Sequence, residues 1–193
     1  MNILFSIMKK KYLFWAFLIP CLWIFSSCEK EPGYIKDCEE FITNLNFTLT
    51  PTSGDVVTLS FSDPDGDGSI HPTVTDGTLQ ENMTYVGSLE LLDQSNPNDV
   101  ENYSEEITEE DIYHQFFFEV NDLDLNIDYN DIDANGNPVG LATIITTGEA
   151  STGTITVTLR HEPDKNATGV ADGDITNAGG ETDVEIEFNL WIE

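Results

Sequence analysis

Apolar and polar side chains alternate strictly along much of this chain, and few folds accept such a pattern. The last run is the most regular, because Glu185, Glu187 and Asn189 separate four apolar residues between positions 184 and 190. Successive side chains of a strand point to opposite faces, so alternation predicts strands with one buried and one exposed face. Alternating or apolar-rich runs of this kind lie at residues 45–49, 57–61, 85–92, 116–120, 123–129, 141–147, 155–159 and 184–192.

The turns between these runs are rich in Gly, Asp and Asn, which is typical of antiparallel sheets. We therefore predict an all-β fold, an antiparallel β-sandwich of the immunoglobulin-like or jelly-roll-like kind with about eight strands. At most one short helix is expected, within residues 98–111, with Ser104 or Thr108 as its cap. Residues 162–182 form a long loop, a length typical of functional or mobile segments.

The first 28 residues differ from the rest of the chain. Lys9 to Lys11 form a positive cluster, and residues 12–25 that follow carry no charge. An apolar run of about 14 residues is shorter than the roughly 20 needed to span a bilayer. The pattern predicts a signal peptide over residues 1–27, with Met8 as the true start.

Cys28 directly follows two small residues, Ser26 and Ser27. This order resembles the lipobox of bacterial lipoproteins, with Phe25 in place of the usual Leu, and it predicts a lipid on the thiol of Cys28. A plain signal peptide with an incidental cysteine is the alternative. We expect residues 28–40 to be the lipidated N-terminus and tether, and residues 41–193 to be a single β-sandwich domain.

The charge of the chain is strongly negative, with 7 basic and 36 acidic residues and a net charge of −29. Such a field repels nucleic-acid phosphates and anionic lipids, so we expect no nucleic-acid partner and contact with the membrane through the lipid alone. After processing, Cys38 is the only other cysteine, so no intramolecular disulfide is expected.

Two segments match the first half of a calcium-loop pattern, in which oxygen ligands occupy alternate positions before a glycine. The candidate ligands are Asp63, Asp65 and Asp67 in the first segment and Asp131, Asp133 and Asn135 in the second. Both segments lack the closing glutamate of an EF-hand. Calcium, which prefers six to eight oxygen ligands, is the predicted cofactor; ordinary turn chemistry is the alternative.

Two histidines are predicted to lie at strand ends. His114 shares a face with Phe116 and Phe118, and His161 continues the face of Leu159. If those strand ends meet, the two imidazoles approach each other and could hold a transition metal; the alternative is a pair of hydrogen-bonded histidines at the core margin. Arg160, the only arginine, is expected to pair with a carboxylate.

Four segments resemble a known family: residues 114–118 (HQFFF), 133–141 (DANGNPVGL), 159–165 (LRHEPDK) and 173–183 (GDITNAGGETD). They are similar to small flavobacterial (Bacteroidota) lipoproteins that are often labelled "type 1 periplasmic binding fold superfamily protein". The resemblance covers most of the mature chain and implies an exported, membrane-anchored protein. The label implies a two-lobed α/β receptor, whereas the 166 residues from Cys28 onward show no β-α alternation.

The sequence contains no nucleophile elbow and no cysteine within the expected folded part, so we predict that the chain is not an enzyme. The favoured function is a non-enzymatic binding or structural module on a membrane-anchored lipoprotein of the bacterial cell envelope. We expect it on the outer membrane, at the periplasmic face or the cell surface, with a protein or small-molecule ligand. One alternative is a periplasmic solute-binding component of a transport system, which needs a pocket with Tyr or Trp and loop carboxylates. A hydrolase using loop acids is the other.

Overall fold

The alternating segments pair with one another in two sheets. The computed structural model describes residues 41–66 and 69–193, which belong to one compact unit, Glu39–Glu193. The predicted signal peptide, Cys28 and the tether lie outside these residues. The strands are β1 (Asn44–Pro51), β2 (Val57–Ser62), β3 (Thr73–Thr75), β4 (Gly77–Leu79), β5 (Thr84–Asp93), β6 (Glu101–Asn102), β7 (His114–Asn121), β8 (Leu125–Tyr129), β9 (Ala142–Thr147), β10 (Ser151–His161) and β11 (Glu181–Ile192).

Strand order defines the two layers. Sheet A has the order β3-β2-β1-β5-β9-β8, with β6 also paired to β5, and sheet B has the order β4-β11-β10-β7. Within the described residues, β4 and β11 form the one parallel pair and every other pair is antiparallel. Eight strands have five residues or more, which is the predicted number. The all-β, sandwich-like fold is thus confirmed.

The core lies between the two sheets. Phe47 of β1 and Phe118 of β7 stack across it, with ring centroids 5.6 Å apart. Burying one large apolar side chain contributes about 1.5–3 kcal/mol, so the inward faces of these strands supply most of the stability. The fully buried residues on those faces include Leu45, Phe47, Leu49, Leu59, Leu91, Phe116, Val157, Leu159 and Phe188.

A single short α-helix, α1 (Tyr103–Glu109), packs the buried Ile107 against this core. The cap is Asn102, whose side chain accepts a hydrogen bond from the N–H of Ser104. The predicted caps Ser104 and Thr108 were wrong, because the Ser104 hydroxyl instead accepts a hydrogen bond from the backbone of β5. No helix in the described residues combines the length and the apolar character needed to cross a membrane.

The long loop between β10 and β11 is packed rather than extended. It contains two 3₁₀ turns, Val170–Asp172 and Ile175–Asn177. Val170 and Ala178 form a second small apolar cluster with Phe117 on the outer face of β7. The loop therefore covers part of the outer face of sheet B.

Candidate functional site

The first predicted calcium loop forms a tight turn after β2. The carbonyl of Asp63 accepts a hydrogen bond of 3.1 Å from the N–H of Gly66, and Asp65 Oδ2 accepts one of 2.8 Å from the N–H of Ile70. Gly66 has a φ of +63°, and a Cβ there would overlap the ring of Phe41. Turn chemistry therefore accounts for Gly66 and for one oxygen of Asp65.

Asp63 is the member of this loop that turn geometry does not explain. It is 8% exposed, and its Oδ1 has no hydrogen-bond partner among the described residues. A buried carboxylate oxygen without a donor is unfavourable, and a bound cation would satisfy it. The structure brings Asp63 and Asp65 into one turn, while Asp67 lies outside the described residues.

In the second predicted loop, Asp131 serves as a brace for the backbone. Its Oδ1 accepts a hydrogen bond of 2.7 Å from the N–H of Gly140, and its Oδ2 accepts one of 2.9 Å from the N–H of Ala142. Asn135 is exposed. Both carboxylate oxygens of Asp131 thus hold the end of the loop against the start of β9.

The third residue of this loop, Asp133, is buried against the ammonium of Lys165. Lys165 Nζ donates to Asp133 Oδ2 at 3.0 Å, to the Pro138 carbonyl at 3.0 Å and to the Asp111 carbonyl at 2.7 Å. Asp133 Oδ1 accepts hydrogen bonds from two backbone N–H groups of its own loop. The ammonium of Lys165 already occupies one oxygen of Asp133, so a calcium ion would have to compete with it. Calcium at this loop stays a prediction.

Burial and hydrogen bonding act in opposite directions on this pair. Burial alone would raise the pKa of Asp133, but hydrogen bonds from Asn137 N–H, Lys165 and Asn135 N–H outweigh it and hold the pKa below its ordinary value. Burial lowers the pKa of the Lys165 ammonium, and Asp133 offsets only part of that effect.

Sequence reasoning missed Lys165. The available signal was its rarity: only Arg160 and Lys165 are basic after residue 36.

The two histidines predicted at strand ends do meet. His114 and His161 are directly opposite each other in the β7–β10 pair. Their rings stack with centroids 4.8 Å apart and an interplanar angle of 15°. His114 is fully buried and His161 is partly buried, so the pair lies at the margin of the core, where the chain enters the long loop.

A cleft of about 500 Å³ opens on the outer face of sheet B. Its floor contains Thr156, Thr158 and Arg160 of β10, and residues 173–176 of the long loop form its roof. Hydrogen bonds from the side chain and the N–H of Thr176 lower the pKa of the Asp174 carboxyl in that roof. The further lining residues are Phe117, Phe118 and Glu119 of β7 and Glu185 of β11.

Arg160 is the distinctive residue of the cleft. Its Nε is shielded from solvent and has no hydrogen-bond partner. The expectation that Arg160 pairs with a carboxylate was wrong, since within the described residues its guanidinium makes no ion pair. In the register of sheet B, Glu185 is opposite Thr158 and Glu119 is opposite Thr156. On the outer face of sheet B, Glu185 is therefore one position along from Arg160 and Glu119 is two positions along.

The cleft could not be found by sequence reasoning, because its floor and roof come from separate strands and a loop. An arginine whose Nε is shielded and which has no acidic partner among the described residues is unusual in so acidic a chain, and only the structure shows that arrangement. No protein-family model, no curated protein and no solved structure matches this chain.

Proposed function

We propose that this chain is a membrane-anchored, exported lipoprotein of the bacterial cell envelope whose β-sandwich is a non-enzymatic module for binding a small carboxylate-bearing solute. The observation that carries the proposal is Arg160, unpaired in the floor of the cleft on sheet B. A guanidinium is always charged and presents a planar set of donors that matches a carboxylate. The Nε–H of Arg160 is shielded from solvent and has no hydrogen-bond acceptor among the described residues, which is unfavourable. A bound ligand would supply that acceptor.

The charges around the cleft narrow the class of solute. Glu119, Glu185 and Asp174 line the same cleft as the single positive charge of Arg160, so an anion with two or more charges is repelled. A zwitterion suits the cleft better, because its carboxylate contacts Arg160 and its ammonium group faces the carboxylates further along β10. A volume of about 500 Å³ is within the range of small-molecule sites.

The binding test uses three probes with the full chain: glycine, acetate and inorganic phosphate, each followed by NMR at constant ionic strength. We expect shifts at Thr156, Thr158 and Thr176 with glycine, weaker shifts with acetate and none with phosphate. Arg160→Gln removes the shifts, while Glu187→Gln, outside the cleft on the same face of sheet B, keeps them. Absence of a cleft response to both glycine and acetate, or an equal response in Arg160→Gln, overturns the proposal.

The membrane anchor is the lipid on Cys28, and the proposed location is the outer membrane, at its periplasmic face or at the cell surface. Support comes from the sequence alone: a charged start, an apolar run and a cysteine after two serines. Replacing Cys28 by Ser should release the protein into the soluble fraction of the envelope, while Cys38→Ser should leave it in the membrane fraction. If Cys28→Ser stays membrane-bound, the anchor proposal is wrong.

Calcium is the proposed stabilising cofactor, and the first loop is its site. The buried Oδ1 of Asp63 is an oxygen ligand of the kind that calcium prefers. Asp65 lies in the same turn, and Asp67 follows in the sequence.

A periplasmic solute-binding component of a transport system is the second candidate. It shares the cleft, whose lining includes the loop carboxylate of Asp174 but has Phe117 and Phe118 in place of the Tyr or Trp expected for this candidate. A carrier of this kind must bind a partner in the inner membrane, so crosslinking in intact cells distinguishes the two candidates. A crosslink to a transporter subunit that disappears when the solute saturates the protein favours the solute-binding component.

A further inference from the structure

We propose that His114, His161 and Asp183 form a site for one divalent transition-metal ion of the zinc and copper class. The three residues lie at adjoining ends of β7, β10 and β11. Each offers one potential ligand atom, and these atoms all lie within 4.8 Å of one another. The site is separate from the cleft, because histidines 114 and 161 lie on the inner face of sheet B and the cleft lies on the outer face.

Strand register places the two imidazoles for chelation. Side chains directly opposite each other on antiparallel strands have Cβ atoms about 4.5–5.5 Å apart. His114 and His161 hold such positions, and their rings stack with centroids 4.8 Å apart. Because the stacked rings are nearly parallel, the side chains would have to rotate to direct one nitrogen of each ring at a shared ion.

A β-bulge brings the carboxylate to the same place. Leu159 pairs with Val184, but the next residue, Arg160, pairs with Thr182, so Asp183 is the extra residue of β11. In a regular strand Asp183 would point away from the face that Val184 occupies. A bulge re-aims the extra side chain, and here Asp183 joins the histidines while its Oδ2 is shielded from solvent.

The hydrogen bond of His114 assigns a role to one ring nitrogen. Nδ1 lies 3.1 Å from the backbone carbonyl of Glu110. A carbonyl only accepts, so Nδ1 is the donor in this contact, and Nε2 would be the ligand nitrogen in the metal-bound state. Histidines that bind metals usually donate their other ring N–H to a backbone or carboxylate oxygen in this way.

The ligand set selects the metal class. Two imidazoles and one carboxylate suit zinc, copper and nickel, whereas calcium and magnesium prefer all-oxygen sites. Tetrahedral zinc with ligands at about 2.0–2.1 Å needs ligand atoms roughly 3.3 Å apart. The ligand atoms, which lie within 4.8 Å of one another, would move closer by at most about 1.5 Å. A tetrahedral ion would need a fourth ligand, which a water molecule would supply.

A metal at this site holds the base of the long loop. The N–H of Glu162 donates a hydrogen bond of 2.6 Å to the carbonyl of Tyr113, one residue away from each histidine. At the other end of the loop, Gly180 has a φ of +69° and approaches the carbonyl of His161 too closely to carry a Cβ. The ion therefore crosslinks three strands where the loop leaves and returns.

The test titrates the full chain with Zn²⁺ by calorimetry, in excess calcium to saturate oxygen-only sites and with Cys38→Ser to remove a competing thiol. We expect one zinc ion per chain. His161→Gln and Asp183→Asn should each weaken zinc binding, His161→Gln by at least about 100-fold. The matched control is His71→Gln, because the exposed His71 is outside the cluster. The zinc affinity of this variant should match that of the parent.

Cobalt supplies a readout of the ligands themselves. Co²⁺ at this site should give visible absorption bands, and Asp183→Asn should change them without unfolding the protein. Stoichiometric zinc binding that survives both His161→Gln and Asp183→Asn contradicts the proposal, and so does the absence of binding by the parent. If His71→Gln alone loses zinc, the site lies elsewhere and the proposal is equally overturned.

Discussion

The two basic residues after position 36 have opposite environments. Lys165 uses all three ammonium donors inside the protein, on one carboxylate and two carbonyls. Arg160 has no ionic partner within the described residues. A satisfied buried cation serves structure, while an unpaired one is available to a ligand. This difference in environment identifies Lys165 as a structural residue and Arg160, five positions earlier, as a candidate binding residue.

The buried pair of Lys165 and Asp133 should be strongly stabilising relative to either residue alone. Lys165→Met leaves the carboxylate of Asp133 buried without its cation, so we expect a loss of about 3–5 kcal/mol in the free energy of unfolding. Urea denaturation measures it. Glu109→Gln, at an exposed position of α1, should change stability by less than about 0.5 kcal/mol. A loss no larger than that of the control would show that the pair is not structural.

The same pair predicts a dependence on acid pH. The pKa of Asp133 is lower in the folded protein than its ordinary value, which is about 3.9. Its stabilising contribution is therefore complete above about pH 3.9 and is lost as the pH falls through the folded value. The stability difference between the parent and Asp133→Asn should shrink when urea denaturation is repeated at pH 3. A difference that is constant with pH contradicts this assignment.

Strands were predictable because alternation is local. Most of the long strands carry their own period of two, and the less regular β5 and β9 are rich in apolar or β-branched residues, so all eight were located from the sequence. Pairing is a non-local property, and it was not predictable: β11 lies between β10 and β4, and β4 is separated from it by about a hundred residues. The strands β3, β4 and β6 are too short to show a period.

The candidate sites were predictable only in part, for the same reason. The faces of His114 and His161 followed from alternation, but their approach was predicted only on the condition that their strand ends meet, which the β7–β10 pairing fulfils. Asp183 belongs by alternation to the exposed series of Glu185 and Glu187, and only the register shift between two paired strands brings it to the histidines. The loop of Asp63 was found from its spacing, but the burial of that residue depends on its tertiary surroundings.

The turn after β2 carries the calcium prediction. A chelator should lower the melting temperature of the protein and calcium should restore it, by about 5 °C or more at saturation, because binding to the folded state alone stabilises it. Asp63→Asn should abolish the calcium response. Asp55→Asn, at an exposed turn position, should retain it, and differential scanning calorimetry measures both. An unchanged melting temperature in the parent excludes a calcium site.

For the whole molecule, charge is the dominant property. The net charge of −29 opposes compaction by self-repulsion, which salt screens. Raising sodium chloride in the presence of a chelator should therefore raise the melting temperature by about 3 °C, which corresponds to ~1 kcal/mol.

A variant of lower charge provides the control for this screening. Glu105→Gln, Glu109→Gln, Glu185→Gln and Glu187→Gln together remove four negative charges from exposed positions. The combined variant should show a smaller thermal response to salt than the parent. An equal response would attribute the salt effect to general exclusion of salt from the surface rather than to charge.

The central position of β11 governs when the molecule becomes folded. Until residues 181–192 are present, β4 and β10 both keep an unpaired edge facing the gap that β11 fills. Both β4 and β10 precede β11 in the sequence, so they are synthesised before the strand that joins them. Sheet B therefore closes through pairing between segments far apart in the chain, which is expected to slow its folding.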